Sequence, residues 1–170
     1  MNTQPKIYLA GPIAGATAEA AFGWRNEAAD MLDPFGLKPL DPTIGHRRAL
    51  LDQGRHEGAG TVFLSDNPCV HANVGLPFDA QDRHILERDF FAVKASSALL
   101  LPLSPATEYS RGTIVELGWA YALGVPVVTF GSTRERPSHP FVNALLGQYR
   151  FATLNEAVEF LADLLFGGRS

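Results

Sequence analysis

The sequence contains a single cysteine, Cys69, among 170 residues. One thiol cannot form a disulfide within the chain, so a disulfide framework is excluded and a reducing, cytoplasmic environment is expected. The chain has no uninterrupted apolar run of about 18 residues, the length that a membrane-spanning helix needs. Its amino terminus, MNTQPKIYLAGPI, lacks a charged region followed by a hydrophobic stretch. Neither a membrane span nor a secretion signal is therefore predicted.

Positive charge is also scarce. The 14 Lys and Arg residues are scattered among 18 Asp and Glu residues, and the formal net charge is -4. No basic face is predicted that would bind a long nucleic acid through its phosphates. A small nucleotide remains possible, because a single phosphate needs only a few backbone donors.

Several common site signatures are missing. The glycines of LAGPIAG do not match G-x-G-x-x-G, and the chain contains neither G-x-x-x-x-G-K-[ST] nor G-x-S-x-G. Dinucleotide binding, nucleotide triphosphate hydrolysis and serine-esterase chemistry therefore lose their usual signals. The histidines and Cys69 show neither H-E-x-x-H nor C-x-x-C spacing, so we expect no metal and no cofactor. The histidines are His46, His56, His71, His84 and His139.

Short apolar runs alternate with helical patterns along the chain. The runs predict strands at 6–13, 37–40, 98–103 and 125–130, and the patterns predict helices from Thr17, from an N-cap at Asp79, after Ser110, at 141–146 and from a cap at Asn155. This alternation predicts an α/β fold. We expect one domain over 1–170, with a parallel sheet of about five strands and helices on both faces, in a flavodoxin-like or Rossmann-like sandwich. Ligands should bind at the carboxyl ends of the strands.

Residues 43–80 interrupt this pattern. Gly, His, Asn and Asp are frequent there, and apolar periodicity is poor. A loop of this length in a compact domain is usually functional, so an insertion or lid is expected at about 43–80.

The stretch from Tyr109 to Thr129, YSRGTIVELGWAYALGVPVVT, contains the main candidate for chemistry. A small-residue turn opens a helix that carries Glu116 in its first turns and leads into a buried strand. Backbone amides and the positive end of the helix are expected to hold this carboxylate ionised. Glu116 is therefore a candidate nucleophile, although a lone glutamate early in a helix often only complements the dipole.

Asp89, Tyr8 and Ser110 add further polar groups at the same predicted edge of the sheet. Asp89 has a simpler explanation, because it can pair with Arg88 or Arg83 on its own helix. Together with Glu116, however, these groups supply what cleavage of a sugar-to-nitrogen bond needs. One carboxylate attacks the anomeric carbon, and a second group helps the base to leave. Tyr8 is expected to orient Glu116 through a hydrogen bond.

These residues also form a recognisable order of motifs. IYLAGPI is followed by Trp24 and Arg25, then by LERDFFAVKASSALLL, and then by S-x-G-T-x-x-E-L-G-x-A-x-A-x-G-x-P-V-V. In this order the chain resembles the nucleoside 2-deoxyribosyltransferase family. The resemblance implies that Glu116 is the nucleophile, that Tyr8 orients it and that Asp89 is the acidic partner near the base. It also implies a small nucleoside and a free base as substrates, and a homodimer or higher homo-oligomer whose subunits complete each other's sites.

Two positions distinguish the branches of that family. Members that act on free deoxynucleosides carry an Asp where this chain has Ser110. In these members an Asn from the neighbouring subunit joins that Asp at the sugar 5'-hydroxyl, and Asn143 resembles this Asn. The branch that hydrolyses deoxynucleoside 5'-monophosphates carries serines at both places. Ser in place of Asp removes a charge that would repel a phosphate by about 1 kcal/mol at contact distance. Ser110, Arg111 and Gly112 are therefore candidate phosphate ligands, and Gly11 is a further candidate for substrate binding.

Three functions remain open at this point. The first is deoxyribosyl transfer between bases, and the second is hydrolysis of a nucleoside 5'-monophosphate, which Ser110 favours. The G-T-x-x-E-L run is also similar to the phosphoribohydrolases that release cytokinin bases, but PATEYSR stands where their P-G-G is expected. The third is a nucleotide-binding sensor without turnover, which would not need Glu116.

Overall fold

The computed structural model describes residues 4–13, 16, 17, 19–44, 78–104, 107, 110–131, 139–147 and 149–167. Strands and helices alternate along this part of the chain. In order they are β1 (Lys6–Leu9), α1 (Trp24–Leu32), β2 (Lys38–Leu40), α2 (Phe78–Ala95), β3 (Ala98–Leu103), α3 (Arg111–Leu123), β4 (Val127–Gly131), α4 (Pro140–Leu145), β5 (Tyr149–Phe151) and α5 (Leu154–Phe166). A π-helical turn, Glu19–Gly23, leads into α1.

The five strands form one sheet in the order β2-β1-β3-β4-β5, and every neighbouring pair is parallel. The predicted α/β fold with a five-stranded parallel sheet is confirmed. In this order the chain moves outward from β1 in one direction to β2 and in the other direction through β3, β4 and β5. A crevice for ligands forms at such a switch point, beyond the carboxyl ends of β1 and β3.

Alternation of side chains along the strands assigns residues to the two faces of the sheet. Ile7 and Leu9 of β1 pack into the cluster that contains α1 and α5. Tyr8 and Ala10 pack into the cluster on the other face, where α2, α3 and α4 lie. Tyr8 therefore faces the helix that carries Glu116, because it is one residue out of step with Ile7.

Two predicted strand ends differ from the structure by two residues or more, for identifiable reasons. The first strand was expected to reach Ile13, but β1 ends at Leu9, beyond which the carbonyl of Gly11 accepts a hydrogen bond from Arg25. The fourth strand was expected from Val125, whose amide instead bonds back to a carbonyl of α3. These backbone groups pair with other partners and are not part of the ladder.

The last helix begins earlier than expected. Its N-cap is Thr153, not Asn155, and Thr153 forms a capping box with Glu156. The predicted cap at Asp79 is also wrong, because α2 already includes Phe78. Strand β5 is missed by the sequence analysis, since its three residues, YRF, are too short for a periodic signal.

The expected insertion or lid at 43–80 lies mostly outside the described residues, which resume at α2. Within the described part, no helix is both long enough and apolar enough to cross a membrane.

Candidate active site

Two side chains from distant parts of the sequence meet beside the carboxyl ends of β1 and β3. Tyr8 Oη donates a hydrogen bond of 2.7 Å to Oε1 of Glu116. Tyr8 is fully buried, and Glu116 is only 9% exposed. The expected contact between these two residues is therefore confirmed, and it lies at the switch point of the sheet.

The position of Glu116 on α3 explains why it points inward. The buried residues of this helix are Thr113, Glu116, Leu117 and Ala120, which share one helical face. Oε2 of Glu116 is buried and has no hydrogen-bond partner among the described residues. A buried polar atom without a partner costs roughly 1–3 kcal/mol, and more when it is charged.

The charge of Glu116 differs from the sequence-based expectation. Burial raises the pKa of Glu116 to about 8, against the hydrogen bond from Tyr8, which lowers it. The charge of Asp89 raises this pKa further, whereas Arg25 and Arg88 lower it. This shift contradicts the expectation of a carboxylate held ionised, because burial, the largest cause, outweighs the groups that favour the charged form.

Tyr8 remains a hydrogen-bond donor at all ordinary pH values. Burial raises the pKa of its phenol well above the usual range, and the nearby charges of Glu116 and Asp89 raise it further. A phenol that keeps its proton stays able to donate to Glu116 Oε1, and this contact restrains the orientation of the carboxyl group. The other carboxyl oxygen has no hydrogen-bond partner among the described residues.

Asp89 lies on α2, which is held beside α3 by an edge contact between the rings of Phe90 and Trp119, with centroids 5.4 Å apart. Its Oδ1 accepts a hydrogen bond of 2.8 Å from Nε of Arg88 and lies 2.8 Å from Nη2 of the same guanidinium, in an ion pair. Burial raises the pKa of Asp89, and Arg88 opposes this shift. Of the two possible arginine partners, Arg88 forms the pair, because Arg83 bonds to Glu87 instead at 2.9 Å.

The three candidate phosphate ligands lie at the start of α3. Ser110 is the N-cap, and its Oγ accepts a hydrogen bond of 2.8 Å from Oγ1 of Thr113 and one of 3.4 Å from the amide of Thr113. Arg111 and Gly112 are exposed in the first turn. A Cβ added at Gly112 would meet no atom within 4 Å, so the space beside this residue is open among the described residues.

Gly11 follows β1 in a conformation that requires glycine. Its φ is +151°, and a Cβ there would lie 3.2 Å from Cζ2 of Trp24 and 3.3 Å from Cδ of Pro102. Arg25 holds this turn, because its Nε and Nη2 donate to the carbonyls of Leu9 at 3.1 Å and Gly11 at 2.9 Å. The described contacts of Gly11 give it a structural role in shaping the turn.

Arg25 is part of the motif order quoted from the sequence, but no role was predicted for it. Its side chain is fully buried, bonds the carbonyl of Ala21 and lies 3.8 Å from Oδ1 of Asp41. The positive charge lowers the pKa of Glu116. Its spacing from Ala21 and Ala28 is the available signal, since it places an arginine on the inward stripe of α1.

Asn143 lies on α4, on the same face of the sheet as α3. Its Oδ1 accepts a hydrogen bond of 2.9 Å from Nη2 of Arg150 in the same chain. Among the described residues, the side chain of Asn143 is thus joined to Arg150 and not to Glu116. The expected role of Asn143 at a neighbouring subunit's site remains a prediction.

The residues considered for metal binding are only partly described. His46, His56, His71 and Cys69 lie outside the described ranges, whereas His84 and His139 lie within them. Within those ranges, no group of three His, Cys, Asp or Glu residues could hold a metal ion.

A buried carboxyl with one available oxygen, a phenol that orients it and a second carboxyl nearby are suited to glycosyl transfer. Comparisons with known proteins agree with this class. The sequence profile described as nucleoside 2-deoxyribosyltransferase matches residues 7–146. The chain therefore belongs to the nucleoside 2-deoxyribosyltransferase family, which indicates an enzyme of the deoxyribosyltransferase class acting on small nucleosides and bases.

A solved structure agrees with the fold. The 2-deoxyribosyltransferase from the psychrotolerant bacterium Bacillus psychrosaccharolyticus is similar to this chain with a TM-score of 0.59 and 20% identity, over 89% of this chain and 88% of that one. No curated protein sequence matches the chain.

Proposed function

We propose that the chain transfers 2-deoxyribose from one base to another through a covalent intermediate on Glu116. Oε2 of Glu116 forms a bond to the anomeric carbon while the carbon–nitrogen bond breaks, and the bonding electrons leave with the base, which gains a proton. A nitrogen of the second base then attacks the same carbon and releases the Glu116 carboxylate as that base loses a proton. Two inversions give overall retention of configuration.

The observation that carries this proposal is the unpartnered, buried Oε2 of Glu116. Tyr8 already occupies Oε1, so the two oxygens have different environments. An oxocarbenium-like transition state bears positive charge close to the attacking oxygen, and a low-dielectric site strengthens that attraction. Burial thus disfavours the ionised form of Glu116 in the protein without substrate. It favours the same ionised form beside the positively charged sugar of the transition state.

Asp89 is proposed as the acidic partner of the departing base. Burial raises the pKa of Asp89, which favours a carboxyl group that can share a proton. The charge of Asp89 raises the pKa of Glu116, which supports the proposal that the two carboxyl groups act in one site. One attacks the sugar and the other assists the base.

A second candidate function is hydrolysis of deoxynucleoside 5'-monophosphates, with water in place of the second base. The observation that favours it is Ser110 at the N-cap of α3, beside the exposed Arg111 and Gly112. A neutral N-cap hydroxyl, exposed backbone amides and a nearby cation suit a phosphate better than a carboxylate would.

One assay separates these functions. The enzyme is incubated with deoxyinosine and adenine, and in parallel with deoxynucleoside monophosphates, and the products are separated by chromatography. New deoxyadenosine supports transfer, whereas free base with deoxyribose 5-phosphate supports the hydrolase. If neither product forms above a Glu116→Gln control, both proposals are wrong and a binding protein without turnover remains.

Tyr8→Phe is expected to lower kcat/KM by about 10- to 100-fold, the effect of losing one hydrogen bond to a charged group. The bond from Tyr8 lowers the pKa of Glu116, so the rise of kcat/KM with pH should also move to higher pH. Initial rates between pH 5.5 and 9.5 measure both effects. The matched control is Tyr149→Phe, because Tyr149 is a partly exposed tyrosine on β5. If both variants had the same pH profile of kcat/KM, the role of Tyr8 would be contradicted.

We also propose a homo-oligomer in which Asn143 completes the site of a neighbouring subunit. Tyr121 on α3 and Phe141 on α4 support this, because they are 77% and 76% exposed on two helices that cover the same side of the sheet as Tyr8. Glu116→Gln and Asn143→Ala subunits, each of low activity, should regain activity when they are refolded together. Absence of regained activity, or a monomeric mass by light scattering, would contradict shared sites. The cytoplasmic location expected from the sequence stays a prediction.

A further inference from the structure

Arg88 has contacts that neither the family nor the proposed reaction explains. Nε and Nη2 of Arg88 both lie 2.8 Å from Oδ1 of Asp89. Nη2 also donates to the carbonyl of Pro42, just beyond β2, at 3.2 Å. The guanidinium therefore links α2 to the carboxyl end of the neighbouring strand, at the edge of the sheet where the site lies.

The geometry of this pair treats the two oxygens of Asp89 differently. Both nitrogens of Arg88 contact Oδ1, and the structure gives Oδ2 no hydrogen-bond partner among the described residues. Two guanidinium nitrogens that contact the same carboxyl oxygen restrict rotation of the carboxyl group. The second oxygen of Asp89 is then left for a ligand. The arrangement parallels that of Glu116, where Tyr8 occupies one oxygen.

The charges around Glu116 come from three elements packed near it. Tyr8 of β1 lowers its pKa through a hydrogen bond, Asp89 of α2 raises it, and Arg25 of α1 and Arg88 of α2 lower it. Two carboxyl groups in one buried site oppose each other's ionisation. The arginine that contacts Asp89 directly is placed to reduce that opposition.

Asp89 itself has few charged neighbours. Arg88 and His84, both on α2, lower its pKa, while burial raises it. Its own charge raises the pKa of Tyr8 and Glu116. His84 is exposed, so Arg88 is the principal counter-charge for Asp89 among the described residues.

We infer that Arg88 is a positioning residue of the site, which holds Asp89 by one oxygen and supplies the counter-charge that lets Asp89 and Glu116 share one buried site. This inference rests on the proposed function, because it assigns Arg88 a role in the reaction of Glu116 and Asp89. A purely structural role, as a tie between α2 and the residues after β2, is the alternative.

Arg88→Met tests the inference against Arg83→Met, since Arg83 lies on the same helix and forms an exposed pair with Glu87. We expect Arg88→Met to lower kcat/KM at least tenfold and to move the rise of kcat/KM to higher pH, with Arg83→Met unchanged in both. Arg88→Lys should restore the position of the pH profile, because it keeps the charge, but not the full rate, because it lacks the fork.

A double variant shows whether Arg88 acts through Asp89. If it does, Arg88→Met should have little further effect on kcat/KM in an Asp89→Asn background. Additive losses of kcat/KM in the double variant would overturn the positioning role. It would also be overturned if Arg88→Met lost activity with an unchanged pH profile and a lowered melting temperature, because a purely structural tie predicts that result.

A measurement without turnover separates failure of this inference from failure of the proposed function. The free energy of unfolding of Glu116→Gln is compared with that of the same protein carrying Glu116. The pH range over which this difference grows reports the titration of Glu116. In an Arg88→Met background this range should extend to higher pH, whereas in Arg83→Met it should not. If the wild type is inactive but the pH range of this stability difference shifts in Arg88→Met, the proposed function is rejected and the counter-charge role of Arg88 stands. If the pH range does not shift, the inference about Arg88 is rejected even when the wild type is active.

Discussion

Glu116→Gln is expected to lower kcat/KM by roughly 10³-fold or more, the loss typical of removing a nucleophile that acts as part of a unit. The amide has the size of the carboxyl group and can still accept the hydrogen bond from Tyr8 at 2.7 Å. It cannot supply the negative charge that forms the bond to the anomeric carbon. Steady-state rates of base exchange and of base release measure the loss.

Binding should survive this change. Because the substituted atom is similar in shape, the dissociation constant for a deoxynucleoside, measured by titration calorimetry, is expected to change only a few-fold. Glu27→Gln, an exposed glutamate on α1, is the matched control and should retain wild-type rates. Normal turnover by Glu116→Gln would remove Glu116 from the reaction and favour a sensor, whereas loss of both binding and folding would show that the side chain is structural.

The second large effect concerns the stability of the same variant as a function of pH. The pKa of Glu116 rises from 4.5 to about 8 on folding. As pH increases from 4.5 to about 8, the unfolded chain releases this proton while the folded chain keeps it, so stability falls over this range. The total loss is on the order of 5 kcal/mol. Glutamine has no proton to release, so the variant avoids it.

The stability of Glu116→Gln relative to the wild type should therefore rise with pH and level off above the folded pKa of about 8. The corresponding difference in Tm grows by on the order of 10 °C for a chain of this size. An unsatisfied amide N–H can subtract about 1–3 kcal/mol at every pH, which shifts the curve without changing its slope. Thermal unfolding at several pH values between 4.5 and 9 measures the slope.

Subtraction isolates the titration of Glu116, because Tyr8, Asp89 and the two arginines are present in both proteins. Glu27→Gln should run parallel to the wild type across the same range. If Glu116→Gln also ran parallel to it, the carboxyl group would titrate normally in the folded chain. Burial would then not control its charge, and the pH dependence expected for catalysis would lose its basis.

The centre of the site is readable from the sequence because its acidic residues lie on stripes that must face inward. Asp89 is four residues from both Ile85 and Val93, and the structure places all three on the side of α2 that is at least partly buried. Glu116 lies next to the buried Leu117 on α3. A carboxyl group on such a face needs a partner or a function, so its spacing supports the choice that the turn before Glu116 and the order of the motifs suggested.

The charge of the site is not readable in the same way. Burial of Glu116 depends on how β1 and α2 pack around α3, which the spacing within α3 does not contain. The choice of Arg88 over Arg83 as partner of Asp89 also depends on tertiary packing, because Arg88 gains a further acceptor at Pro42 after β2. The bond from Arg150 to Asn143 likewise needs β5, which has no signal in the sequence.

The Tyr8–Glu116 hydrogen bond joins residues 108 positions apart, across a sheet in which β1 pairs directly with β3. A nascent chain on the ribosome holds Tyr8 long before its acceptor has been synthesised, so no amino-terminal fragment that stops before α3 contains the pair. Contacts this distant form late and slowly. In a refolding experiment, the rate at which activity returns would consequently report when β1 and α3 come together. The circular dichroism signal would report the earlier formation of the helices.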